Sequence, residues 1–213
     1  ARPGRLSALG GHLSDADRAG EALAPVRAAR ARRDVAGIRD LEGRVLLRQG
    51  RGAEAKAAFT AAIESDETFA RAHEGLGTVA LAAGQLEEAQ RQFDRAAELA
   101  PRNGDYLYRS AQVRLARGDR DGAIERLKQA VEVAPSNPGA CNDLAFLLAE
   151  TGGDLDLALE LATRAARVAP GPVTRDTLGW VHLKRGEANT AAQIFERAIE
   201  SFGESPSRLY HLG

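Results

Sequence analysis

Apolar and small residues recur along the chain at helical spacing, in stripes separated by short polar breaks. Leu76, Gly77, Val79, Ala80 and Leu81 form one stripe, and Ala89, Phe93, Ala96 and Ala97 form the next. Gly84 lies between them. A glycine there ends a helix in the left-handed conformation, which costs a residue with a Cβ about 1 kcal/mol or more. The polar runs Gln85 to Glu88 and Asp119 to Asp121 open the second helix of their pairs, with carboxylates favoured at the positive end of the helix dipole. Proline soon after the second stripe prevents its continuation. The pattern therefore predicts helical hairpins.

The hairpins repeat. Small residues stand at Gly43, Gly77, Ala111, Ala145, Gly179 and Gly213, each step 34 residues, and Gly50, Gly84, Gly118, Gly152 and Gly186 keep the same step. A third series runs Ala55, Ala89, Ala123, then Ala158 one residue late, then Ala191; a fourth runs Ala62, Ala96, Ala130, Ala165 and Ala198. Pro101, Pro135 and Pro170 follow three members of the fourth series. Four interlocked series on one period specify a stack of like units, each burying its apolar face against the next.

This pattern resembles the tetratricopeptide repeat, which reads Trp-x2-Leu-Gly-x2-Tyr, then Ala-x3-Phe-x2-Ala-x4-Pro. Leu76-Gly77, Ala89, Phe93, Ala96 and Pro101 match in one unit; Gly43, Ala55, Phe59 and Ala62 match in another, with Glu67 at the proline place. Ala111, Ala123, Leu127, Ala130 and Pro135 follow, and Leu178-Gly179, Ala191, Phe195 and Ala198 close the series, with Gly203 for proline. The resemblance implies an all-α fold, a right-handed superhelical solenoid of antiparallel hairpins. The expected units are 36–69, 70–103, 104–137, 138–171 and 172–205, with 206–213 opening a sixth, severed unit. The fourth carries one extra residue at Gly152-Gly153, in the turn inside its hairpin, where insertion is cheap. Residues 1–35 do not fit: Ser14 and Asp17 suggest a helix start and Pro25 a kink, so this stretch is a degenerate hairpin or an irregular lead-in.

In this family the first helices line the concave surface that receives a peptide or helix of a partner. Places three residues before each small residue, and one, four and five after it, face that groove. They hold Asp40, Arg44, Leu47 and Arg48; Glu74, Thr78, Leu81 and Ala82; Tyr108, Gln112, Leu115 and Ala116; Asn142, Phe146, Ala149 and Glu150; and Asp176, Trp180, Leu183 and Lys184. Tyr210 would begin the next set. Aromatic side chains and arginine dominate protein interfaces. The partner-binding candidates are Arg44, Arg48, Arg71, Glu74, Tyr108, Gln112, Asn142, Phe146, Asp176, Trp180, Lys184 and Tyr210. They predict a groove with a basic N-terminal mouth (Arg44, Arg48, Arg71) and an apolar, aromatic C-terminal half. Leu47, Leu81, Leu115 and Leu183 recur in register and read as packing. The chaperone-tail variant of the family grips a terminal carboxylate with Lys and Asn; Asp40 and Arg44 at those places exclude it here.

Charge and composition narrow the function. Lys plus Arg number 29 against 30 Asp plus Glu, a net charge of −1, which argues against a nucleic-acid partner. No apolar run is long enough to insert in a membrane. Methionine is absent and the chain opens ARPGRLSALGG, which reads as a processed product or a fragment. Frequent Ala and Arg with few Lys points to a bacterial source.

No catalytic constellation emerges. His12, His73, His182 and His211 form no pair at metal-ligand spacing, and His73 and His182 fall on packing places. The single cysteine, Cys141, takes the place of the family's first-helix tryptophan and reads as buried, although a helix start can activate a thiol. Asp154 and Asp156 lack the rest of a calcium loop, and Gly10-Gly11 lacks the rest of a phosphate loop. The expectation is a non-catalytic protein-interaction scaffold with no cofactor or metal. DTLGWVHLKRG is similar to repeats of bacterial exopolysaccharide-export and surface-protein-sorting proteins, which favours an envelope or periplasmic setting. The other classes considered are a homo-oligomer assembled through the severed end and the non-catalytic arm of a larger enzyme.

Overall fold

The computed structural model describes residues 35–202, which contain ten α-helices and no strand. The lead-in expected over residues 1–35, apart from Val35, and Tyr210 with the sixth unit lie outside the described residues. The chain divides into two compact units, residues 1–99 and 100–213.

In the first unit, α1 (Ala36–Arg48) pairs with α2 (Gly52–Ser65), and α3 (Ala70–Ala82) pairs with α4 (Leu86–Leu99). Helix α3 also packs on both α1 and α2, so the second hairpin closes the first. The second unit holds α5 (Gly104–Ala116), α6 (Arg120–Val133), α7 (Pro138–Thr151), α8 (Leu155–Val168), α9 (Pro172–Lys184) and α10 (Ala188–Phe202). Its helices pair α5 with α6, α7 with α8 and α9 with α10; α7 seats on α6, and α9 on both α7 and α8. Within each unit the hairpins thus bury their faces on one another, as stacked repeats must.

Two glycine series serve two separate ends. Gly84 has φ of +71° and open space around its Cβ position, so backbone conformation alone demands glycine there. Beyond it the N–H of Gln85 donates back to the Ala80 carbonyl at 2.9 Å, closing the end of α3. Gly43, Gly77 and Gly179 sit inside helices and are required by space instead. A Cβ on them would stand 2.6, 2.9 and 2.5 Å from the rings of Phe59, Phe93 and Phe195. Those rings lie directly on the first-helix backbone and are fully buried. In the third and fourth hairpins the seam residues are Ala111 and Ala145, and the places aligned with the phenylalanines hold the smaller Leu127 and Ala162. In the third hairpin the larger Ala111 and smaller Leu127 keep the seam volume nearly unchanged, as close packing requires, whereas the fourth also buries Leu161 beside Ala162.

The extra residue of the fourth hairpin is absorbed locally. Helix α7 runs 14 residues where α1, α3, α5 and α9 run 13. Gly152 ends it in the left-handed region, the Gly153 N–H donates to the Leu148 carbonyl, and the Asp154 carboxylate caps α8 by accepting from the Asp156 and Leu157 N–H groups. First helices nevertheless start at 36, 70, 104, 138 and 172, an unbroken step of 34.

Candidate functional site on the first-helix faces

In the first unit the charged candidates form a network. Asp40 is 0% exposed, and its carboxylate accepts from Arg44 at 3.1 Å and from Arg71 at 2.7 Å. Arg44 also donates to Glu74 at 2.8 Å, and Glu74 accepts a longer bond from the Thr78 hydroxyl. A buried carboxylate is stable only when paired and hydrogen-bonded. The basic mouth expected from the sequence is therefore corrected: Arg44 and Arg71 neutralise Asp40 and Glu74, and the face is one of mixed sign, with Arg48 exposed at its end.

The second unit is different. Between α5, α7 and α9 lies a cleft of about 560 Å³, bordered by Leu115, Asn142, Asp143, Phe146, Glu150 and Val173 among others. Phe146 is 43% exposed and Val173 64% exposed, two bare apolar side chains on adjacent first helices. Asp143 is aimed by neutral donors: the Tyr108 hydroxyl donates to its Oδ2 at 3.0 Å, and the Asn142 Nδ2 to its Oδ1 at 3.3 Å. Gly139 lets the Tyr108 ring reach across, since a Cβ there would meet the hydroxyl at 2.6 Å. Burial, and then the Asp143 carboxylate, push the Tyr108 phenol well above its ordinary value and keep it a donor. Asn142 is only 7% exposed, and its carbonyl oxygen has no hydrogen-bond partner.

Trp180 is held rather than bare. Its indole N–H donates to Glu150 at 2.8 Å, and the Lys184 ammonium stands 4.4 Å from its ring centroid while approaching Glu150 at 3.6 Å. Gln112 is exposed and Asp176 is half-buried on the same faces. Leu81 is exposed and Leu115 borders the cleft, so the register leucines are not all packing; Leu47 and Leu183 are half-buried. Asp143, Val173 and Thr177 border the cleft and were missed. They lie two or six residues before Ala145 and Gly179, which carries the groove stripe one turn towards the helix start. Arg71, six before Gly77, already marked that place.

The remaining polar candidates are structural. His73 bonds Gln92 at 2.8 Å and His182 bonds Glu187 at 2.6 Å. Cys141 is fully buried, with its thiol 3.4 Å from the Pro135 carbonyl, and burial pushes that thiol up, away from the reactive thiolate. Among the described residues no group of three His, Cys, Asp or Glu could hold a metal ion, and no helix is long and apolar enough to cross a membrane.

Helix pairs on a 34-residue step, three of them sealed by glycine–phenylalanine seams and all presenting side chains from their first helices, define an all-α helical-repeat solenoid of the interaction-scaffold class. Profiles of the Tetratricopeptide repeat match residues 41–104 and 74–138, and a second such profile matches 114–175. The chain belongs to the tetratricopeptide repeat family. Its fold is similar to that of YrrB, a TPR protein with an unusual peptide-binding site (TM-score 0.73, 22% identity, 87% of this chain and 96% of that one). It is also similar to MamA 41-end from Desulfovibrio magneticus RS-1 (TM-score 0.66, 22% identity, 78% and 94%). Among curated proteins, Protein CTR9 homolog from Arabidopsis thaliana is 29% identical over 130 residues; the match takes in 59% of this chain but spans 12% of that protein's length.

Proposed function

We propose that the chain is a non-catalytic scaffold whose second unit holds a peptide or helical segment of another protein against α5, α7 and α9. The observation that carries this reading is the pair Phe146 and Val173, left bare side by side in a cleft of about 560 Å³. Exposed apolar side chains rimmed by polar ones mark interaction surfaces, and a first-helix face is where a repeat array presents its concavity. Tyr108, Asn142 and Trp180 are fixed by hydrogen bonds before any partner arrives, which reduces the entropy lost on association. The peptide-binding site named for YrrB supports the same reading by analogy. A role in a bacterial envelope or export assembly rests on the DTLGWVHLKRG resemblance alone.

The test is selection of short peptides from a display library by the purified chain, followed by affinity measurement with Phe146→Ala and with Phe146→Ala/Trp180→Ala. Both variants should remain folded by circular dichroism, because Phe146 is exposed and Trp180 half-buried. Loss of most of the affinity is expected. Undiminished binding by the folded double variant would refute the reading.

A further inference from the structure

Several charged side chains on the first-helix faces are paired within the chain, whereas Asp143 in the cleft is not. Asp40 is paired with Arg44 and Arg71, Glu74 with Arg44, and Glu150 with Lys184. Asp143 has only the neutral donors Tyr108 and Asn142, and no ion-pair partner among the described residues. It borders the cleft beside exposed Phe146 and Val173. Its two hydrogen bonds hold the carboxylate in one orientation and leave each oxygen with capacity for another donor. A second acceptor lies next to it: the Asn142 carbonyl is buried at the wall of the same cleft without a partner, which ordinarily costs about 1–3 kcal/mol. Arg120 also borders the cleft but makes no ion pair with Asp143.

We propose that this cleft selects a cationic side chain, arginine above lysine, carried next to an aliphatic or aromatic residue of the partner segment. This rests on the reading that the cleft holds such a segment. The apolar neighbour lies on Phe146 and Val173. The guanidinium meets Asp143, and its remaining N–H groups supply the donor the Asn142 carbonyl lacks. Arginine suits the site because its planar fork can engage two acceptors at once, whereas an ammonium acts as a point charge. A partner carrying Glu or Asp at that place meets Asp143 as a like charge and is excluded.

Peptides selected from a random library are synthesised with the central basic residue as Arg, as Lys and as citrulline, the neutral isostere of Arg. Their affinities are measured by fluorescence anisotropy on the whole chain and on Asp143→Asn, whose fold is checked by thermal melting. The expected result is a consensus with Arg or Lys beside a large apolar residue. Replacing Arg by citrulline should then weaken binding at least about tenfold on the native chain and less than about twofold on Asp143→Asn. Asn142→Leu removes both the unsatisfied acceptor and the long Nδ2 bond to Asp143, so the unliganded chain should melt within about a degree of native while affinity for the Arg peptide falls more than for the citrulline peptide; equal losses for both peptides would count against the charge preference. Selected peptides that lack a basic residue, or citrulline bound as tightly as arginine, would overturn the charge preference. If those peptides still lose affinity on Phe146→Ala, the groove reading stands without it. Failure to select any peptide would overturn both.

Discussion

The glycine–phenylalanine seam makes a quantitative prediction at Gly43. An alanine Cβ there would stand 2.6 to 2.8 Å from three carbons of the Phe59 ring, where ordinary carbon contacts lie at about 3.5–4.0 Å. The ring has no room to retreat, because a Cβ at Gly75 would meet the same atoms at 2.5 to 2.7 Å; Phe59 is clamped between α1 and α3. Overpacking of this kind costs about 1–3 kcal/mol. A clash this close falls in the upper part of that range, about 2–3 kcal/mol, and alanine is the better helix former by about 1 kcal/mol, so Gly43→Ala should destabilise by about 1–2 kcal/mol net. Phe59→Leu alone should cost about 1–2 kcal/mol, a fraction of the loss for complete truncation to alanine. The double variant recreates the Ala111 and Leu127 combination of the third hairpin. It should be no less stable than Phe59→Leu, which gives a favourable coupling of about 1–2 kcal/mol. Urea denaturation of the four proteins measures the cycle, with an unchanged m-value confirming that midpoints can be compared. Additivity within about 0.5 kcal/mol would refute the seam argument.

Gly84→Ala should destabilise by about 1 kcal/mol through backbone strain, and no partner substitution should rescue it, since nothing stands near the new Cβ. Phe93→Ala, a fully buried truncation, should cost about 3–5 kcal/mol in urea melts, and near-zero loss would mean that the ring is not in the core. Hydrogen bonds from Gly122 and Arg114 hold the Asp119 carboxyl below its usual range, so its stabilising effect is present above the unfolded-state value of about 4 and is lost as pH falls through the lower folded value. Asp119→Asn should therefore flatten the acid limb of a melting-temperature profile below about pH 4; an unchanged limb would count against the cap. Tyr108 has the opposite sense: its raised phenol favours the fold below about pH 10 and ceases to do so as pH rises towards the folded value, so ultraviolet titration should find one tyrosine ionising late, and Tyr108→Phe should remove it.

Hairpins and period were legible because their signals are local. A glycine forced to positive φ, a proline after a helix and a small residue at a crowded seam each report at a single position, and repetition made them redundant. Paired glycine and phenylalanine could also have been read directly, since Gly43, Gly77 and Gly179 are the seams whose second helix carries phenylalanine. Charge state on the first-helix faces was not legible in the same way. Counting Arg44, Arg48 and Arg71 gave a basic mouth, but their effect depends on Asp40 and Glu74 one hairpin away. How Trp180 is held was hidden for the same reason: Glu150 and Lys184 meet it as three-dimensional neighbours.

Some of those neighbours share a spacing that turns the site into a last prediction. Arg44 reaches Glu74 and Glu150 reaches Trp180, each 30 residues on, and Asp40 reaches Arg71 at 31. These three pairs span a little less than one repeat length, whereas Tyr108–Asp143 spans 35 residues and Glu150–Lys184 spans 34. At the 30-residue spacing from Asp143 stands Val173, which is apolar and bare. Val173→Arg should supply that cation from within the chain, joining α9 to Asp143 much as Arg44 on α1 joins Glu74 on α3. The pair would gain little stability, about 0–1 kcal/mol, since the position is largely exposed. Its effect on recognition should be far larger, because it fills the apolar cleft and neutralises the carboxylate that awaits a partner. Selected basic peptides should bind Val173→Arg at least about tenfold more weakly, and Val173→Arg/Asp143→Asn should not restore them, whereas Val173→Leu should bind as the native chain does. Full affinity in folded Val173→Arg would show that the 30-residue spacing does not govern this cleft.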